Sequence, residues 1–197
     1  DICSFGSNLK MTALLILFAA AAAAVTGCEL PPGTLPRTIT EGFAIQVQNP
    51  EFPVIHNRLM NLWEAGGGDK HLFLAPAGNS SDALTLVDGV ITLATVVPTI
   101  RAVINGEYTP EDNTTKMFMT ERGDPRAVYD VAYGCNPDTD EVQTELVLSA
   151  RGSEPGGHIC VRSTSGERHE FRYSPPENPT DDPARPCMSV RLAVVHP

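Results

Sequence analysis

The densest run of chemistry-bearing side chains is Thr120–Arg126, TERGDPR, which holds Glu121 and Asp124 close together. A carboxylate pair is the machinery of glycoside hydrolysis, one member as acid and the other as nucleophile or base. The plainer reading is a turn, started by Asp124-Pro125, in which Arg122 or Arg126 pairs with a nearby acid. We favour the turn. Arg122-Gly123-Asp124 resembles an integrin-binding tripeptide, but three residues carry little weight and Pro125 makes a presented loop less typical. Asp69-x-His71 could offer two ligand atoms from a loop and a strand start. The other histidines, His56, His158, His169 and His196, form no zinc spacing. His169 and Glu170 fall on one strand and point to opposite faces, so they make poor joint ligands. There is no Gly-x-Ser-x-Gly elbow, and Gly66-Gly67-Gly68-Asp69 lacks the Gly-Lys-Ser/Thr of a phosphate loop. The residues to watch are therefore Glu121 and Asp124 for catalysis, and Asp69, His71 and Arg122 for binding. Neither a metal nor a cofactor is expected.

The elements that must position these residues read as strands. Candidates are Phe43–Gln48, His71–Ala75, Leu84–Val87, Val90–Thr95, Ile100–Ile104, Lys116–Thr120, Val128–Tyr133, Val142–Ser149, Ile159–Arg162, His169–Tyr173 and Met188–Val195. Phe43, Ile45 and Val47 share a face, as do Val190, Leu192 and Val194, which is the period of a half-buried strand. Asp88-Gly89 and Asn105-Gly106 supply hairpin turns. Ile55, Leu59, Leu62 and Trp63 fall near one helical face, so a short helix is expected there, ended by the three glycines. Trp63, Phe73, Phe118, Tyr129, Tyr133, Phe171 and Tyr173 are expected in the core; if some lined a groove instead, it could bind carbohydrate. Short strands with frequent turns predict an all-β fold, an antiparallel β-sandwich or closed β-barrel. A β-trefoil is the alternative, although no threefold repeat is evident. Ser174–Pro186 is a proline- and acid-rich loop.

Met11 to Cys28, MTALLILFAAAAAAVTGC, reads as a secretory signal with a cut at Gly27/Cys28. Its apolar core is shorter than the roughly 20 residues of a membrane span. Residues 1–27 are set aside as an upstream extension plus signal peptide, and residues 28–197 as a single secreted β domain. Two alternatives are an uncleaved anchor and a lipoprotein whose lipid sits on Cys28. The remaining cysteines, Cys28, Cys135, Cys160 and Cys187, are even in number and imply two disulfides. If Tyr129–Tyr133, Val142–Ser149 and Ile159–Arg162 form a meander, Cys135 and Cys160 lie near its opposite ends, too far apart to bond. Cys28–Cys135 with Cys160–Cys187 is preferred over Cys28–Cys160 with Cys135–Cys187. Asn79-Ser80-Ser81 and Asn113-Thr114-Thr115 are glycosylation sequons. The net charge of -10 repels phosphate backbones and excludes nucleic acid as an expected partner.

VQNPEFPVIHNRLMNLWEAGGGDKHLFLAP (47–76), NTTKMFMTERGDPRAVYDVAYGCNP (113–137) and RHEFRYSPPENP (168–179) resemble uncharacterised small secreted proteins of filamentous ascomycete fungi. The resemblance spans roughly Phe43 to Val195. It implies a fungal, secreted, disulfide-bonded β-domain and brings no active-site residues. The expected protein is an extracellular or cell-wall-associated module, non-catalytic and monomeric, free of the membrane once its signal is cut. Its partner would be a cell-wall polysaccharide or an extracellular protein. Alternatives are a small secreted hydrolase using Glu121 and Asp124 on polysaccharide, and an effector that binds a host protein.

Overall fold

The structure, a computed structural model, describes residues 27–75, 81 and 83–196. Residues 1–26, where the secretory signal is expected, and the sequon asparagine Asn79 lie outside the described residues. The strands are β1 (Ile39–Gln48), β2 (Arg58–Gly66), β3 (Asp69–Leu74), β4 (Leu84–Val87), β5 (Val90–Leu93), β6 (Ile100–Val103), β7 (Tyr108–Thr109), β8 (Thr114–Lys116), β9 (Phe118–Thr120), β10 (Ala127–Cys135), β11 (Val142–Arg151), β12 (Glu154–Pro155), β13 (His158–Ser163), β14 (His169–Ser174), β15 (Cys187–Ser189) and β16 (Arg191–Val195).

Every ladder is antiparallel, and the ladders close on themselves. One ring runs β1–β16–β11–β10–β5–β4 and back to β1, closed at the single pair Val128↔Val90. A second runs β1–β2–β3–β9–β6–β5–β4. The rings share β1, β4 and β5. Closure gives each ring strand a partner on both sides, whereas β7, β12 and β15 each pair on one side only. The alternating residues Phe43, Ile45 and Val47 of β1 are buried in one apolar cluster with Leu72 and Leu74 of β3, Leu146 of β11, Phe171 of β14 and Leu192 of β16. Each such side chain contributes about 1.5–3 kcal/mol on burial. The Asp88-Gly89 turn has positive φ at both residues, 49° and 82°, as a two-residue hairpin requires. A Cβ on Gly89 would run into the Tyr129 carbonyl, so glycine is needed there twice over.

Three expectations are corrected. The helix over Ile55–Trp63 does not form. Residues 53–57 are a turn, Asn57 takes a left-handed φ of 61°, and β2 follows. Ile55 is buried in the core cluster from the turn rather than from a helix face. The expected meander ends after its second strand: β10 pairs with β11, but β13 pairs with β14 and β15 instead. Lys116–Thr120 and Met188–Val195 are each two strands, because the chain changes partner at Met117 and at Val190. Met117 N–H donates to the Phe171 carbonyl, and Val190 N–H to that of Ile159.

The cysteines pair as Cys28–Cys135 and Cys160–Cys187. Cys28 Sγ is thus consumed in a bond that ties the lead-in to the end of β10, which leaves no thiol there to carry a lipid. The loops closed contain 107 and 27 residues of separation. Chain entropy assigns about 5 kcal/mol to the first and about 3.5 kcal/mol to the second. In urea denaturation, C28A/C135A is therefore expected to lower the unfolding free energy more than C160A/C187A. The reverse order would show that the lead-in contributes little to the fold.

Candidate functional site

Strand β14 reads HEFRYS. Phe171 and Tyr173 enter the apolar core, so Glu170 and Arg172 point to the opposite face. That face would ordinarily be wet. Here both side chains are buried: β8 pairs alongside β14, and the β7–β8 hairpin, its turn and the loop after β14 supply polar partners to the cluster they form. Arg162 of β13, directly opposite Glu170 in the ladder, is buried beside them.

Charge compensation in this cluster is dense. Glu170 Oε1 accepts from Arg162 Nη2 and Arg172 Nη1, both at 2.8 Å, and Oε2 pairs with Lys116 Nζ at 3.0 Å. Arg162 Nη1 reaches Asp112 Oδ2 at 2.9 Å. Asp112 Oδ1 in turn accepts from the Thr114 hydroxyl at 2.7 Å, and its carbonyl accepts from Asn178 Nδ2 at 2.8 Å. Arg172 donates onward to Thr114 Oγ1, Thr109 Oγ1 and the Glu107 carbonyl. Arginine cannot shed its proton, so two buried guanidinium groups require fixed acceptors. Burial pushes the Glu170 carboxyl up, but hydrogen bonds from Lys116 and Arg162 outweigh this and hold it below the ordinary range. Burial and the neighbouring Arg162 lower Arg172.

Lys116 carries the cluster outward. Its Nζ lies 5.1 Å above the centre of Phe73. Phe73 meets Trp63 edge-on, with centroids 6.4 Å apart and planes at 85°. Arg168 lies 5.0 Å from the Trp63 ring centre and 4.8 Å from that of Phe73. Its Nε and Nη2 are steadied by the Ser165 carbonyl and hydroxyl at 2.9 and 3.2 Å. The β2–β3 register sets Trp63 opposite His71 and Asn61 opposite Phe73, which places these residues on the outer face. His71 packs on Phe73 with centroids 5.6 Å apart, and its Nδ1 is buried without a hydrogen-bond partner. Burial, reinforced by Lys116, lowers its pKa below the ordinary imidazole value. Trp63, the chain's one tryptophan, remains 39% exposed. The result is one exposed ring, Trp63, pre-positioned by the buried Phe73 and by Arg168 and suited to stacking against a ring.

Of the residues singled out from sequence, Asp69 and His71 lie at the start of β3 on the strand positions that face this surface. Glu121, Arg122 and Asp124 lie in the exposed turn after β9. Arg122 approaches Glu121 at 3.9 Å and Arg126 reaches Asp124 at 3.2 Å. Arg101 clamps the turn by donating to the carbonyls of Glu121 and Gly123 at 2.7 and 3.2 Å. Glu121 opens onto a cavity with Glu64, Lys70 and Pro98, whereas Asp124 opens onto another with Arg101 and Arg126. Among the described residues, the two carboxylates thus line different cavities. Trp63, expected inside, is outside; strand alternation from Leu62 would have placed it there. The Asp112, Arg162, Glu170 and Arg172 set carried no local signal. Among the described residues, one group of three metal-type ligands lies together, Cys28, Cys135 and Asp140, and its sulfurs are bonded to each other. Asn113 is half-buried, and its Nδ2, the atom a glycan would need, donates to Asn178 at 3.2 Å.

Replacing Glu170 with Gln leaves three cations sharing one buried carboxylate, Asp112. E170Q is expected to cost about 3–5 kcal/mol in urea denaturation, as for other broken buried pairs. Because the folded Glu170 carboxyl is depressed, its contribution is complete above the unfolded value, about 4.3. That contribution is lost as pH falls through the folded value. Stability measured from pH 7 to 3 should therefore fall more steeply for the wild type than for E170Q; parallel curves would refute the assignment.

No curated protein and no solved structure matches the chain. A family model described as a domain of unknown function matches residues 29–197, from the residue after Cys28 through the last strand. On that match, the chain belongs to the DUF7909 family.

Proposed function

We propose that this protein is a secreted, non-catalytic binding module of the extracellular space or cell wall, and that it engages polysaccharide through the face around Trp63. The observation that carries this reading is the Trp63–Arg168–Phe73 stack. An exposed tryptophan held edge-on to Phe73, with a guanidinium wedged against both rings, pays little ordering entropy when a sugar ring stacks on it. Arg168 adds positive charge beside the rings, which favours a chain with carboxylated sugars over a neutral one. Two disulfides accord with an oxidising compartment. Among the described residues no helix is long and apolar enough to cross a membrane. The hydrolase alternative draws no support from Glu121 and Asp124, which face different cavities.

Trp63 makes the test direct, since it is the sole tryptophan reporter. Its fluorescence is titrated with soluble β-glucan, chitin oligomers and polyuronate. A saturable change is expected, strongest with polyuronate. W63A, followed by calorimetry, should bind about tenfold more weakly, equal to about 1.4 kcal/mol. Silence across the whole panel, or a W63A variant that binds as tightly as wild type, would remove the reading.

A further inference from the structure

We infer that the mature chain begins at Cys28 and that its new α-ammonium group is received by Asp140, forming an ion pair that locks the N terminus onto the end of β10. This rests on the secretion reading above. The Cys28 nitrogen lies 2.9 Å from Asp140 Oδ1, and its sulfur is bonded to Cys135. A Cβ built on Gly27, one residue earlier, would meet nothing within 4 Å.

The receiving turn is already built. Asn136 Oδ1 accepts from the N–H groups of Asp138 and Thr139 at 2.9 and 3.2 Å, and the Asn136 carbonyl accepts from Asp140 N–H at 2.9 Å. Asp140 itself takes a left-handed φ of 57°, which turns its carboxylate toward Cys28. As a peptide, Cys28 offers Asp140 one neutral N–H. Hydrolysis of the Gly27–Cys28 bond by a signal peptidase consumes one water, leaves a carboxylate on Gly27, and frees an amine on Cys28. That amine takes up a proton at neutral pH. The contact then becomes charge-assisted without any movement of the chain. Other charged groups nearby are Glu29, next in sequence, Glu141, adjacent to Asp140, Glu145, whose carboxylate lies against Gly134, and Glu51 and Arg191, which line the depression beside Cys135 with Asp140. Arg191 Nη1 is turned to the Cys135 carbonyl at 3.1 Å. Asp138 is engaged by His56 and Asn57.

The sign of the pH dependence follows. An amine that gains a carboxylate partner has its pKa raised on folding. The stabilisation is complete below the unfolded value, about 7.7–8, and disappears as pH rises through the folded value.

The experiment expresses the full chain in a eukaryotic secretory host and determines the N terminus of the medium protein by sequencing and intact mass. Cys28 is expected as residue one. The amine pKa is then read from the pH dependence of its reductive methylation, in wild type and in D140N. Asparagine accepts the left-handed backbone at position 140, so the turn is retained. The wild-type pKa should lie above the ordinary amine value, and D140N should return it there. Secretion with a start at any other residue, a lipid on Cys28, or equal pKa values in the two proteins would overturn the inference while leaving secretion intact. A protein retained in the cell with its leader attached would instead overturn the secretion reading itself.

Discussion

The buried Glu170 carboxylate is the constraint from which the surrounding polar cluster follows. Three cations, Arg162, Arg172 and Lys116, converge on its two oxygens. None can be left unpaired in a site sealed from water, and the arginines have no neutral form to retreat to. The chain meets this demand with segments far away in sequence. The β7–β8 hairpin brings Asp112, Thr109 and Thr114, and the proline-rich loop after β14 brings Asn178. The polar face of β14 is thereby converted from a solvent face into an interior one, and the molecule gains a polar core backing the apolar one.

Lys116 links this core to the outside. It pairs with Glu170 on one side and lies over Phe73 on the other. Phe73 then orients Trp63, and Arg168 fills the angle between them. The aromatic surface is thus fixed by charges behind it as well as by its strands. Such backing matters for a binding surface on a sheet, because a rigid ring loses little freedom when a ligand stacks on it.

Local patterns in the sequence carried the strands well. Period-2 runs such as Phe43–Val47, and the Asp88-Gly89 turn, state their structure in a few neighbouring residues. Cysteine parity and reach led to the two disulfides, even though the meander invoked to separate Cys135 from Cys160 was wrong in its third strand. Failures came where the deciding partner is distant. Ile55, Leu59, Leu62 and Trp63 match a helix by spacing, but Asn57 breaks the run and the β3 ladder recruits the rest as strand. Glu170 and Arg172 alternate with Phe171 and Tyr173 as any half-exposed strand would. Nothing nearby announces that Asp112, some sixty residues earlier in the chain, pairs with the Arg162 that shares Glu170 with Arg172. The candidate surface was missed for the same reason: Trp63, His71, Phe73 and Arg168 meet only across ladders.

Native-state hydrogen exchange tests most directly whether the buried charges make the β7–β8 hairpin part of the core. Thr114 N–H donates to Asp112, Lys116 N–H to Glu107, and Met117 N–H to Phe171. If the charge cluster holds, these three amides open only with global unfolding, at the same free energy as Ile45 in the β1–β16 ladder. Exchange of the three through a low-energy local opening, with Ile45 still protected, would show that the hairpin is a surface flap and that Glu170 does not organise the fold.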